Sequence, residues 1–596
     1  TGKAQSYSGA VTLGQNTTLS GSSVTFVGDV TSSRSLNVMG DAIIYASHVT
    51  TNGTTQNYSG TVTLETDTTL TGTQVTFADV VSGAHSLSVV GNTAINGGSV
   101  STLGFTQNYD GTVALGQATT LTGSMVTFGG NVTSNSSLNV VGDVIINASH
   151  VTTTGATQNY SGTVTLGADT TLTGTHVTFA DWINGPHDLN IVGDVFINGR
   201  TVTTLGKSQY YGGTIILGDS TTLTANTVTI GAGISGDYAL HIEGNTVINA
   251  GNVNTVNHAQ SYNGTVTLGA DTALTGSSVA ITGNVSGDHD LYVLGDMTFG
   301  GTTLNTGSHT QTFVNNFAFG QNAMLTGSQI YFMGAVDGDH DLNVQAGSFL
   351  MGGVVNTHSH TQTYGGRVNL DVATTLTGSQ VSFGGEVMGD ADLFVLAPVI
   401  RASSATNTFT HSQNYSGAVS WIGDAIFTGV DLTFGSTLNG TRDLTIVSSG
   451  VTRWNGAVGS TLRDITVSGG GVLKINGARV QTSRGQTYHD KVNMLSDTTL
   501  TATAVTFNDE VTGTGYLHVI GNVNLNGGSI TTTSGQSYSA AVNLGTHTTL
   551  ESTNAGDIVF AGALVSLVAT LATAPFVITH FNRVQGWGIL ANLLEI

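Results

Sequence analysis

Cysteine is absent, and proline occurs three times in 596 residues. The first absence excludes disulfides, thiolate metal sites and thiol nucleophiles. It leaves the compartment open, although a cysteine-free, acidic, Thr- and Gly-rich chain fits an exported protein. Positive charge is scarce: 14 basic residues stand against 36 acidic ones, for a net charge of −22. Only four are lysines, Lys3, Lys207, Lys474 and Lys491. Basic residues spread this thinly offer no stripe for a phosphate backbone, which argues against nucleic-acid binding. Charge of either sign is low, 8% of residues, where typical soluble proteins carry roughly 25%. Helix-forming runs of Glu, Lys, Ala and Leu are missing. What fills the chain is 82 Gly with Thr, Ser, Val and Asn, β-branched residues alternating with small polar ones. This is the composition of strands and turns.

The chain repeats itself. "TQNYSGTVTLGADTTLTGTHVTF" at 157–179 is nearly restated at 55–77 and again at 259–281. The aromatic of this word falls at Tyr7, Tyr58, Tyr109, Tyr160, Tyr211, Tyr262, Phe313, Tyr364 and Tyr415, 51 residues apart at each step. Surface loops tolerate insertions cheaply, so independent domains drift in length. A fixed period means that each residue is held against a counterpart in a neighbouring unit, as in a solenoid. Within each unit a weaker echo recurs at half the period: Val164, Leu166, Leu172 and Val177 answer to Leu189, Ile191, Ile197 and Val202. The expectation is a parallel β-solenoid with two coils per 51-residue repeat, over residues 1–560. Roughly 23 such coils at a strand spacing of about 4.8 Å would make a rod about 110 Å long. Tyr58, Tyr109 and Tyr160 would then stack in one column. Alternation sends Val62, Leu64, Leu70, Val75 and Phe77 inward and Thr61, Thr63 and Thr76 outward. The one large break in rhythm, Tyr415 to Tyr488, contains "RDLTI" at 442–446 and "RDITV" at 463–467. It reads as one extra coil near 447–470.

The recurring "YSGTVTLGADTTLTG", "VTF" and "GDHDLNV" words resemble repeats of filamentous-haemagglutinin-like exoproteins and autotransporter-like adhesins of bacteria. The resemblance covers about residues 1–560. It implies a right-handed parallel β-helix, export to the cell surface, and adhesive or biofilm-matrix roles. Neither an Asn-Pro-Asn-type secretion domain nor a terminal membrane barrel accompanies it.

Few constellations carry chemistry. Acidic turns at 287–290, 338–341 and 389–392 align Asp288, Asp339 and Asp390, with Asp290, Asp341 and Asp392 beside them. Carboxylates two apart on a turn can hold Ca²⁺ together with backbone carbonyls, so Asp288, Asp290, Asp339 and Asp341 are weak metal candidates. Solvated turn chemistry is the plainer reading, and no metal or cofactor is called for. His258, His309, His360 and His411 form a second series at 51-residue steps. His358 and His360 read as two ligands on one strand face, short of the three or four that zinc takes. No recurrent Ser and Asp accompany these histidines as a triad would require. The tyrosines read as a core ladder ahead of a sugar-stacking platform. The Thr faces are interrupted too often for an ice-binding lattice. Loop-free repeats with so few basic groups weigh against a β-helix lyase or glycosidase, which is the alternative class; passive calcium or glycan binding is another.

After Phe560 the repeat gives way to an apolar segment, 561–596. Residues 562–578 carry no charge, but so short a stretch, with Pro575 inside it and no basic flanks, makes a poor membrane span. Phe576, Phe581, Trp587, Leu590, Leu593, Leu594 and Ile596 read instead as a cap or docking surface. At the other end Thr1 to Tyr7 enters the repeat in register, as after removal of a leader or at a fragment boundary. The sequence thus points to a structural protein, extracellular or on the cell surface, with no enzymatic activity. Its expected partners are copies of itself joined head to tail through Tyr7 and the C-terminal segment, with surface glycans or the cell envelope as further candidates.

Overall fold

Stacking partners reveal how the chain winds. In the computed structural model, which describes residues 2–402, 404–545, 547–561 and 564–567, Val62 lies beside Val81 and Val81 beside Val100, all in parallel register. Between the strands Val62–Leu64 and Val81–Gly83 the chain makes two further runs, 68–71 and 74–77, both within Thr68–Phe77. One coil therefore has three sides, and its repeat period is about 19 residues. The described residues form strands and turns without a helix. The fold is an all-β parallel β-solenoid of about 29 turns, and it divides into two units, Thr1–Gly300 and Gly301–Ile596.

The inward set is the one that alternation predicts. Val62, Leu64, Leu70, Val75 and Phe77 are all buried, while Thr61, Thr63 and Thr76 are half-buried. Each fully buried Val, Leu or Phe contributes roughly 1.5–3 kcal/mol, and backbone hydrogen bonds to the neighbouring coils satisfy the strands between them. Long strands such as Thr68–Phe77 and Leu87–Ile95 turn a corner without ending, and their register shifts there between Val90 and Asn92. Gly91 sits at that corner with φ +120°, and a Cβ on it would strike the Gly72 carbonyl oxygen. The glycine of "VVGD" and "IVGD" is thus a steric requirement of close-stacked corners.

The three-sided coil corrects the expected division of each repeat into two coils. A repeat holds eight sides: 55–58, 62–64, 68–71, 74–77, 81–83, 87–90, 92–95 and 99–101. At three sides per coil, eight sides make two and two-thirds coils. The half-period echo spans four sides, whereas stacking compares sides three apart. Val164 accordingly lies beside Ile183, and Ile183 beside Val202, with Leu189 elsewhere. Thr63 likewise lies between Ile43 and Ser82.

Because eight is not a multiple of three, each repeat begins on a different side from the last. The single tyrosine column does not exist. Tyr58 stacks on Phe77 with ring centroids 5.8 Å apart, and Phe77 lies beside Ile95. Tyr109 lies instead between Val89 and Phe128.

In the second unit, Gln413–Tyr415, Leu432–Phe434, Val451–Trp454, Val472–Ile475 and Lys491–Met494 follow one another in parallel register. The two echoed words rest directly on one another: Leu444 pairs with Ile465 and Ile446 with Val467. The step from Leu444 to Ile465 is therefore one coil.

Candidate functional site

The most regular polar feature is buried. Gln56 and Tyr58 both point inward, and the Tyr58 hydroxyl donates to Gln56 Oε1 at 2.9 Å. Gln56 Nε2 donates to the carbonyls of Val49 at 2.7 Å and Thr71 at 2.8 Å. The same set recurs at Gln158 and Tyr160 and at Gln362 and Tyr364. The amide thereby ties together, at a corner, carbonyls of two strands that pair with each other, Val49 and Thr71. Burial pushes ionisation of the Tyr58 and Tyr160 hydroxyls far above the ordinary phenol range. These tyrosines are core, and the sugar-platform reading has no exposed ring here to rest on.

The acidic turns do a second structural job. Asp271 Oδ1 accepts the backbone N–H of Asp290 at 3.0 Å, and Asn322 accepts that of Asp341 at 3.0 Å. Asp341 in turn accepts from the N–H and hydroxyl of Thr361, both at 2.8 Å. The Thr361 N–H bond is the main cause holding its carboxyl below the usual range. Asp390 is held low in the same way by the Thr410 hydroxyl at 2.7 Å and by His411 at 3.0 Å. Asp339 faces His360 at 3.3 Å. Asp288 and Asp290 also make polar contacts within the chain. Among the described residues no three His, Asp or Glu side chains converge as a metal site would require.

The histidines are placed otherwise than expected. His358 and His360 lie on a turn, not on a strand, and His358 has φ +51°. They face different carboxylates, Asp337 at 3.2 Å and Asp339 at 3.3 Å. His360 follows the strand Val354–Asn356 and His411 follows Ala405–Asn407, which belong to different strand columns. The expected His column is therefore absent in this unit, and so is the Asp339 to Asp390 alignment. What recurs is a His on one coil facing an Asp on the next: His48 and Asp29, His187 and Asp169, His289 and Asp271.

Shallow depressions lie beside Ser47, His48 and Asn108, about 180 Å³, and beside Phe349, Arg367 and Phe409, about 250 Å³. Both fall below the roughly 300–1,000 Å³ of small-molecule sites. Tyr7 is half-buried and stacks on Phe26 at 5.9 Å. The other docking candidates, Phe576, Phe581, Trp587, Leu590, Leu593, Leu594 and Ile596, lie outside the described residues.

Two features escaped the sequence reading. The inter-coil caps and His–Asp pairs become visible only once the chain is wound into three-sided coils, which brings Asp169 to His187 and Asp271 to Asp290. The basic residues are also unevenly spread, since seven of the 14 fall within 442–491. That concentration was countable from sequence alone. Compared with protein-family models, curated proteins and solved structures, the chain matches none.

Proposed function

We propose that this chain is a structural subunit of an extracellular filament or surface adhesin, its copies joined end to end. The observation that carries the reading is the use made of the chemistry-bearing side chains. The candidate Asp, His and Tyr residues spend their hydrogen-bonding capacity on the adjoining coil, as at Asp341 with Thr361, or within the core, as at Tyr58 with Gln56. A surface organised this way transmits load and presents area; no reaction is assigned to it. The resemblance to filamentous-haemagglutinin-like exoproteins supports the same class and the extracellular location. No helix among the described residues is long and apolar enough to cross a membrane.

The joint is proposed between Tyr7, which stacks on Phe26, and the apolar residues of 576–596; a heterologous contact of that kind propagates. Electron microscopy of negatively stained protein tests the proposal. Full-length protein should form filaments, and protein lacking residues 576–596 should stay folded but dispersed. Filaments from the truncated protein, or dispersed full-length protein at high concentration, would rule the joint out.

A further inference from the structure

The seven basic residues within 442–491 form a belt on successive coils of the second unit. Against them stand three acids, Asp443, Asp464 and Asp490, so the segment carries 7 − 3 = +4. The remainder of the chain carries −22 − 4 = −26. Immediately before the belt, residues 337–431 hold nine acids and two basic groups, Arg367 and Arg401, for −7.

Part of the belt is neutralised within the chain. Arg463 Nε donates to Asp443 Oδ1 at 2.7 Å, with Asp424 at 3.8 Å and Asp464 at 3.9 Å from the same guanidinium. Lys491 reaches Glu510 at 3.4 Å. The centre of the belt is not neutralised. Arg453 and Lys474 lie directly opposite each other on adjacent strands, flanked in their column by the uncharged Thr433 and Asn493. Among the described residues neither has a carboxylate partner. Like charges directly opposite on a sheet destabilise it, and this chain has acids in surplus to place there. A local rule broken without internal compensation marks a surface made for something else.

We propose that the Arg453 and Lys474 face is a lateral contact surface that takes the acidic coils of a second copy of this chain. The belt of one copy meets residues 337–431 of the other. Belt and acidic coils are consecutive in one unit, so a two-fold arrangement satisfies both contacts at once. The complement is on the same molecule, and it is the charge of that complement that selects a second copy as the occupant. The contact is separate from the end-to-end joint, so either can fail alone.

Sedimentation of the full chain at 20 mM and 500 mM NaCl tests this, because exposed charge contacts are screened within about 10 Å at 0.1 M salt. Wild type should associate side by side at low salt and fall at least tenfold in association constant at high salt. Arg453→Glu/Lys474→Glu, and separately Asp337→Lys/Asp371→Lys, acids on or beside the same strand column, should each lose the low-salt association, while an equimolar mixture of the two regains it. Arg453→Gln/Lys474→Gln serves if the reversed pair misfolds by circular dichroism, and it too should lose the association. In stained fields the basic-face variants should keep end-to-end filaments and lose paired ones. Association indifferent to salt and to both reversals would overturn the proposal. So would wild type that stays unassociated at low salt yet retains polygalacturonate, which would assign the face to an acidic polysaccharide.

Discussion

At the scale of single residues, the Gln and Tyr pair shows how a polar group can hold a core together. A buried amide costs stability unless its donors and acceptor are all used, and Gln56 uses them on Val49, Thr71 and Tyr58. The chain contains its own variant of this arrangement. At Phe313 the hydroxyl is missing, and Gln311 Oε1 is left buried without a partner. Gln311 Nε2 still donates to Leu304 and Thr326. Phe313→Tyr should therefore stabilise the second unit by about 1 kcal/mol, the worth of one buried hydrogen bond. Amide exchange in Gln311–Phe313 should slow roughly fivefold, since stability is read locally in such structures. Faster exchange would mean that the Phe317 ring, 4.6 Å from Phe313, leaves no room for the oxygen.

At the scale of the element, the unit is one three-sided coil. Leu444 and Ile465 occupy equivalent places on consecutive coils, so deleting residues 444–464 removes a complete coil and joins Asp443 to Ile465. Every later side keeps its position, and the shortened protein should fold with a melting temperature within a few degrees of the original. Deleting 444–454 removes two of a coil's three sides, sets every later side against the wrong wall of the stack, and should give insoluble protein. Equal behaviour of the two deletions would contradict the stacking register. The same coil explains what could be read beforehand. The strands, turns and inward set of Val62, Leu64 and Phe77 were legible because alternation is a local property. The coil length was not. Sides this short resemble one another, and Val164 matches Leu189 in kind as well as it matches Ile183. Only the backbone pairing distinguishes four sides from three. The inter-coil bonding of the acidic turns was hidden for the same reason: Asp271 looks idle until Asp290 is placed on the next coil.

At the scale of the whole molecule, the buried tyrosines couple stability to pH. Burial raises the hydroxyl ionisation of Tyr58, Tyr109, Tyr160, Tyr211 and Tyr262 in the first unit, and of Tyr364, Tyr415, Tyr488 and Tyr538 in the second. A group whose folded value is raised keeps its proton in the folded chain at pH values where the unfolded chain has released it. Its contribution is complete below about pH 10, the unfolded phenol value, and is lost as pH rises toward the folded value. Each such tyrosine loses about 1.4 kcal/mol per pH unit across that window. Five acting together in the first unit would lose about 7 kcal/mol per unit, comparable to the roughly 5–15 kcal/mol that holds a typical domain. Unfolding should thus begin above pH 10 and finish within one to two units. The strand signal in circular dichroism should fall in the same step in which the buried phenolate absorbance appears. Tyr109→Phe/Tyr160→Phe, with fewer phenols to ionise, should move the first unit's transition to higher pH. Ionisation of the buried set with the strand signal intact would show that these hydroxyls reach solvent without unfolding, contrary to their burial.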